Sequence, residues 1–342
     1  MAKKRPSTGQ TIGGIVAGFE QQVWRTTPPA SELVAKGKPL APVPAAGGGS
    51  LTVGLPEELT APVENVAESD SVLHLDAPGA HAVVDLAHGG RLSSFVVDGR
   101  QLLVTEGFGP IAWGSFPMAP FAGRVRDGRF SFQGDRFKLK IEMPPHAIHG
   151  TVLDRPWHRL DDRTIVTELG RGWPFAGRAI QRFGLREGRF DFRLEVHADE
   201  PMPASIGWHP WFRRQPPVVG SVATTGPPTP PVELELEAGS MYVRDDAGIT
   251  TSDRIAAVPG PWDDCFTDLR RPPILRWPGF LELTIESDCP DLVVYTVPAD
   301  ALCVEPQTAP PDALNTRPAI VEPGRPLVAD MAWTWRSLAR TG

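Results

Sequence analysis

Five short segments carry the side chains most able to move protons. They are His-Ala-Ile-His-Gly at 146–150, Gly-Trp-His-Pro-Trp-Phe at 207–212, Cys-Val-Glu-Pro-Gln at 303–307, Ala-Gly-Arg-Val at 122–125 and Trp-Asp-Asp-Cys-Phe at 262–266. Singly, each has a plain structural reading. His146 and His149, three apart, could pair on a metal, but metal sites usually take at least three protein ligands and no third has diagnostic spacing. A metal is therefore not expected. His209 beside Pro210 could be a loop histidine, Arg124 a surface arginine, Asp263 and Asp264 a cap or turn, and the tryptophans core. Glu305 is harder to explain away, because it ends the apolar run Ala301–Val304 and a carboxylate there is costly unless paired or functional.

Together the segments supply three imidazoles, one guanidinium and three carboxylates, a set suited to general acid–base work without a cofactor. No Ser-centred elbow, phosphate-binding loop or dinucleotide glycine fingerprint competes with them.

The surrounding chain reads as short strands. Residues 81–104 hold apolar runs broken by Gly89-Gly90 and Asp98-Gly99, which are hairpin signals. Phe130 and Phe132, then Phe137, Leu139 and Ile141, alternate with polar residues on either side of Gly134-Asp135. Phe190, Phe192, Leu194 and Val196 repeat the period of two, as do residues 280–288 and 291–300. Helical periodicity is missing and the 38 prolines oppose it. The pattern predicts an all-β sandwich or barrel whose broad concave face suits a sugar or another polar, disc-shaped ligand. The chemical segments are expected at loops and strand ends of that scaffold.

The 342 residues, 41% of them hydrophobic, suffice for a sizeable core. A net charge of −7 leaves no basic footprint for nucleic acid and argues against anionic membranes. No apolar run is long enough to span a bilayer. The start, MAKKRPSTGQ, resembles a basic signal n-region, but the apolar stretch Ile12–Phe19 is short and holds three glycines. The three cysteines, Cys265, Cys289 and Cys303, form no CxxC pair and suit free thiols, so a cytoplasmic protein is expected. Residues 1–70 are rich in Pro, Ala and Gly and are expected to be a disordered extension, with room for a short helix at Gly18–Trp24. Residues 71–342 are expected to form one domain.

The five segments, in this order, resemble the motifs of the aldose 1-epimerase (galactose mutarotase-like) family. AGRVRDGRF matches the family's Asn-Arg-Ile and Gly-Arg-Phe elements at Arg124, with Gly123 where Asn is usual. AIHG matches its Leu-His-Gly at His149, leaving His146 as an extra. WHPWF matches its second histidine at His209, DDCF its aspartate at Asp263, with Asp264 adjacent, and CVEPQTAPPDALN its most specific segment at Glu305. The resemblance spans about residue 73 to the C-terminus. It implies a large antiparallel β-supersandwich, a free aldose as substrate, interconversion of its α- and β-anomers, and no metal or organic cofactor.

Opening a hemiacetal requires one group to take the anomeric hydroxyl proton and another to protonate the ring oxygen. The resemblance implies Glu305 as base and His209 as acid, with the roles exchanged on closure. Arg124 and His149 would hold sugar oxygens, Asp263 would accept sugar hydroxyls, and Trp208 or Trp211 would stack on the ring. Three rivals stand beside this reading. A hexose-phosphate mutarotase would use Arg126, Arg129, Arg213 and Arg214, though Thr151, Val152 and Leu153 replace the aromatic-Ala-Arg run of such relatives. A non-catalytic carbohydrate-binding protein would share the scaffold. A glycoside hydrolase would pair Glu305 with Asp263. Sugar preference and oligomeric state stay open.

Overall fold

A computed structural model describes residues 71–220 and 230–338. The extension 1–70 and its candidate helix lie outside the described residues.

Two large sheets make up the fold. One has eleven strands, and its central path runs Arg91–Val97, Ser115–Met118, Gly207–Arg213, Ala301–Gln307, Asp291–Tyr295, Asp263–Leu269, Ala238–Arg244 and Thr250–Ala256. The other has eight, with Gly177–Arg186, Arg189–Ala198, Leu327–Ser337 and Leu281–Ser287 at its centre. The pairings in both are antiparallel. The expected antiparallel β-supersandwich is the architecture found.

Alternation explains why the sheets stack. Phe190, Phe192 and Leu194 turn one way from their strand into the core, where both phenylalanine rings meet Trp333. From the opposing sheet Phe95 reaches Phe190 and Trp333 at ring separations of 5.5 and 5.4 Å, and Phe212 reaches Trp333 at 5.0 Å. Aromatic contacts of this kind contribute about 0.5–1.5 kcal/mol each beyond the area they bury.

The same period of two assigns the remaining faces. On Gly207–Arg213, Trp208 and Phe212 enter the core, so His209 and Trp211 point away from it. On Ala301–Gln307, Leu302 and Val304 enter the core, so Cys303, Glu305 and Gln307 share the face of His209. That face is roofed by the segments around 119–153 and 309–316, tied down by Ser205 N–H to Pro120 O at 2.9 Å and Asp312 N–H to Arg124 O at 2.6 Å.

The turns follow the glycine signals with one shift. Asp98 and Gly99, at φ 45° and 75°, form the expected two-residue hairpin between Val97 and Arg100. The next hairpin turns at Gln133-Gly134, one residue earlier than expected, because Asp135 already pairs with Phe132. Two placements are corrected. His209 and Glu305 lie inside central strands and not at loops or strand ends.

Candidate active site

The ladder sets the central pair. Gly207 aligns with Gln307 and Trp211 with Cys303, which places His209 opposite Glu305. Their side chains meet at 3.3 Å between Nε2 and Oε1, both buried. Two strands further on, Asp263 aligns with Tyr295, itself aligned with Cys303. Asp263 Oδ2 lies 3.8 Å from Arg124 Nη2. The ring of His149 stands edge-on to His209, 87° apart with centroids at 4.8 Å. All five expected residues therefore converge on one face.

Arg124 and His149 arrive together because their short strands pair, Arg124 with Ile148. His149 then takes φ 61°, an uncommon conformation outside glycine, and donates its N–H to Gly123 O at 2.9 Å. Gly150 follows at φ 86°, where a Cβ would lie 2.0 Å from Ala119 O. Only glycine lets the chain turn there and leave the His149 ring beneath the roof.

The two aspartates separate in role. Asp264 is 4% exposed, and burial lifts its carboxyl although Arg244 Nε sits 3.1 Å away. Asp263 is half-buried and lies between Arg124 and Arg244, the latter at 3.3 Å. Asp263 is thus the carboxylate turned toward the His209–Glu305 face, and one arginine holds both neighbours.

Burial dominates the electrostatics. It drives His209 down from 6.5 to about 3, helped by the charges of Arg124 and Arg91. Burial, then His209 and Arg124, push His149 well below its usual value. Burial and Asp263 push Glu305 well above the carboxylate range, against the pull of Arg124 and of Gln307, whose amide lies 3.5 Å from Oε2. These directions favour the uncharged form of each partner, a protonated Glu305 carboxyl and a neutral His209 imidazole.

Among the described residues, His209, Cys303 and Glu305 could bring three ligand atoms within 4.8 Å of one another. A cation there would need Cys303 and Glu305 both deprotonated, whereas burial raises both, and it would meet the Arg124 charge.

Other expectations sort cleanly. Trp208 is core, 1% exposed, so Trp211 is the tryptophan beside the site, stacked on His209 at 5.4 Å and 19°. His146 is structural: its Nδ1 accepts from Asp127 N–H at 3.1 Å and its Nε2 donates to Ala247 O at 3.1 Å. The four arginines of the phosphate reading do not form one cluster of open cations. Arg213 donates to Leu103 O, Arg214 to Pro298 O and Thr296 O, and Arg126 pairs with Asp245. The motifs do not single out Arg244 or Phe116. Each reaches the site through strand pairing, and the sequence carries no local signal for that.

The sequence model of the family described as aldose 1-epimerase matches residues 71–333. The Escherichia coli K12 protein YphB is 32% identical over 108 residues, which cover 30% of this chain and 37% of that protein. The matched stretch thus spans little more than a third of that relative. A galactose mutarotase-like protein from Clostridium acetobutylicum superimposes with a TM-score of 0.65 at 15% identity, covering 78% of this chain and 95% of the other. Galactose 1-epimerase from Lactobacillus acidophilus does so with a TM-score of 0.62 at 15% identity, covering 80% and 97%. At such identities the superpositions establish the shared fold, and the match over 71–333 establishes descent: the chain belongs to the aldose 1-epimerase family.

Proposed function

We propose that the protein interconverts the α- and β-anomers of a free aldose, with Glu305 and His209 exchanging protons with the sugar. The observation that supports this most directly is the buried pair, 3.3 Å apart, inside a ring of Arg124, His149 and Asp263. Ring opening moves one proton from the anomeric oxygen and one onto the ring oxygen, with no net gain or loss. A pair that carries one proton in total can do this and return to its starting state after the carbonyl carbon rotates and the ring closes.

In the opening step Glu305 acts as base toward the anomeric hydroxyl and His209 as acid toward the ring oxygen. The proton resting on Glu305 must first pass to His209. Sugar hydroxyls reaching Asp263, and Arg124 beside the carboxylate, favour that transfer by replacing the solvation that burial removed. Arg124 and His149 hold sugar oxygens and stabilise the charge developing on the ring oxygen. Trp211 supplies an apolar wall.

A free sugar is favoured over a sugar phosphate because Arg213 and Arg214 donate to backbone carbonyls and Arg126 is paired. The buried thiols, free among the described residues, suit a reducing compartment such as the cytoplasm. Polarimetry on freshly dissolved anomers of glucose, galactose and other aldoses tests the proposal. Faster equilibration is expected, and excess hexose phosphate should not compete. Sugar binding without acceleration would leave a carbohydrate-binding protein instead.

A further inference from the structure

Arg91 is a large cation with no exposed surface, and beyond its charge acting on His209 the proton chemistry above gives it no task. It opens the strand Arg91–Val97. Its Nε donates to His88 O at 2.7 Å, Nη1 to Trp113 O at 2.9 Å, and Nη2 to Pro110 O at 2.7 Å and Leu153 O at 2.8 Å. These hydrogen bonds draw separate segments of the chain onto one planar group. The guanidinium carbon lies 4.2 Å from the ring centre of Trp113 and 5.3 Å from that of Phe116.

Phe116 is the next layer. It faces His209 across the ladder, and the two rings stack at 4.8 Å and 22°. Trp211 also stacks on the imidazole, at 5.4 Å and 19°. A chain of contacts therefore runs from Trp113 through Arg91, Phe116 and His209 to Trp211. Burying a cation costs several kcal/mol that an aliphatic side chain of similar volume would avoid. What a guanidinium adds is a rigid plate fixed from several sides, with its charge against an aromatic face.

We propose that Arg91 is a positioning residue: held by the backbone carbonyls, it fixes the Phe116 ring and through it the plane of the His209 imidazole. This deepens the anomer-interconversion reading and rests on it for its kinetic consequences. A proton donor and acceptor must point along the line between sugar and Glu305, and misalignment is felt mainly in the chemical step.

The test uses the full chain. Arg91→Lys keeps a charge but loses the planar fork, and is expected to lower kcat about tenfold with KM changed less than about twofold. Phe116→Leu removes the layer through which Arg91 acts and is expected to cost a similar factor. Combining the two should add little, because both break one chain of contacts. Losses that multiply, or an Arg91→Lys loss confined to KM, would overturn the proposal. A readout independent of activity accompanies these. The His209 ring protons lie beside two aromatic rings, and their NMR signals are expected to move in Arg91→Lys. Unmoved signals in the folded variant would overturn the role. If the unaltered protein accelerates no anomer exchange, the functional reading fails while the NMR arm still decides Arg91.

Discussion

Glu305 is the least comfortable residue in the fold, and its discomfort yields two tests. Its carboxyl is buried on a central strand, with the Gln307 amide at 3.5 Å and the His209 imidazole at 3.3 Å. Glu305→Gln keeps the shape and removes the titration. It should abolish the acceleration of anomer exchange, measured by polarimetry, and His209→Ala should lower it about a hundredfold or more. Stability should move the other way. Because burial raises the Glu305 pKa in the fold, the proton it retains stabilises the native state fully below about 4.5. That contribution is lost as pH rises through the folded value. Glu305→Gln should therefore melt close to the unaltered protein in acid and at higher temperature in alkali. His209 has the opposite sign. Its pKa falls from 6.5 to about 3, so its contribution is present above 6.5 and lost as pH drops toward 3. Activity should accordingly hold across neutral pH and fail on the acid side only as the pair gains a second proton. A pH–rate profile already halved at pH 6 would contradict the lowered pKa of His209.

At the scale of elements, the roof is held over the sheet by specific pins, and His146 is one. It joins the segment following Arg124 to the turn after Arg244 by accepting from Asp127 and donating to Ala247. His146→Ala removes both hydrogen bonds of a buried imidazole and should cost about 1–3 kcal/mol, read as a lower urea midpoint. It should also weaken sugar binding, since the two arginines flanking Asp263 come from the two segments it joins. Element by element, much was legible beforehand. Phe190, Phe192, Leu194 and Val196 alternate and are buried as their spacing requires, and Asp98-Gly99 turns as its chemistry requires. The failures have a cause. Pro210 and Pro306 sit beside His209 and Glu305 within central strands, where a missing N–H normally argues against a strand. They disguised both residues as loop residues. The five motif residues were readable because each carries a local pattern. Arg244, Phe116 and Arg91 act through contacts such as Arg91 to Leu153, 62 residues apart, that no local pattern encodes.

At the scale of the molecule, one sheet contributes a core face and a chemical face, and the second sheet exists to cover the first. This makes the His209–Glu305 pair dependent on the sandwich as a whole and gives a sharp expectation for where the domain starts. The family match begins at residue 71 and the first strand spans Val72–Ala77, paired along its length with Ala80–Asp85. Leu73 and Leu75 of that strand are buried in the core. A chain beginning at Ser71 should therefore fold and retain the anomer-exchange rate of the full chain. One beginning at Gly79 removes both leucines and uncovers the inner face of the next strand, where Ala82 and Val84 are fully buried. Each leucine lost from the core removes about 1.5–3 kcal/mol, a large share of the stability a domain of this kind holds in reserve. The shorter chain should melt markedly lower or fail to fold, by calorimetry and circular dichroism. Equal stability of the two would place the domain start downstream of the first strand. Loss of activity on removal of residues 1–70 alone, with melting unchanged, would instead give that extension a part in the reaction.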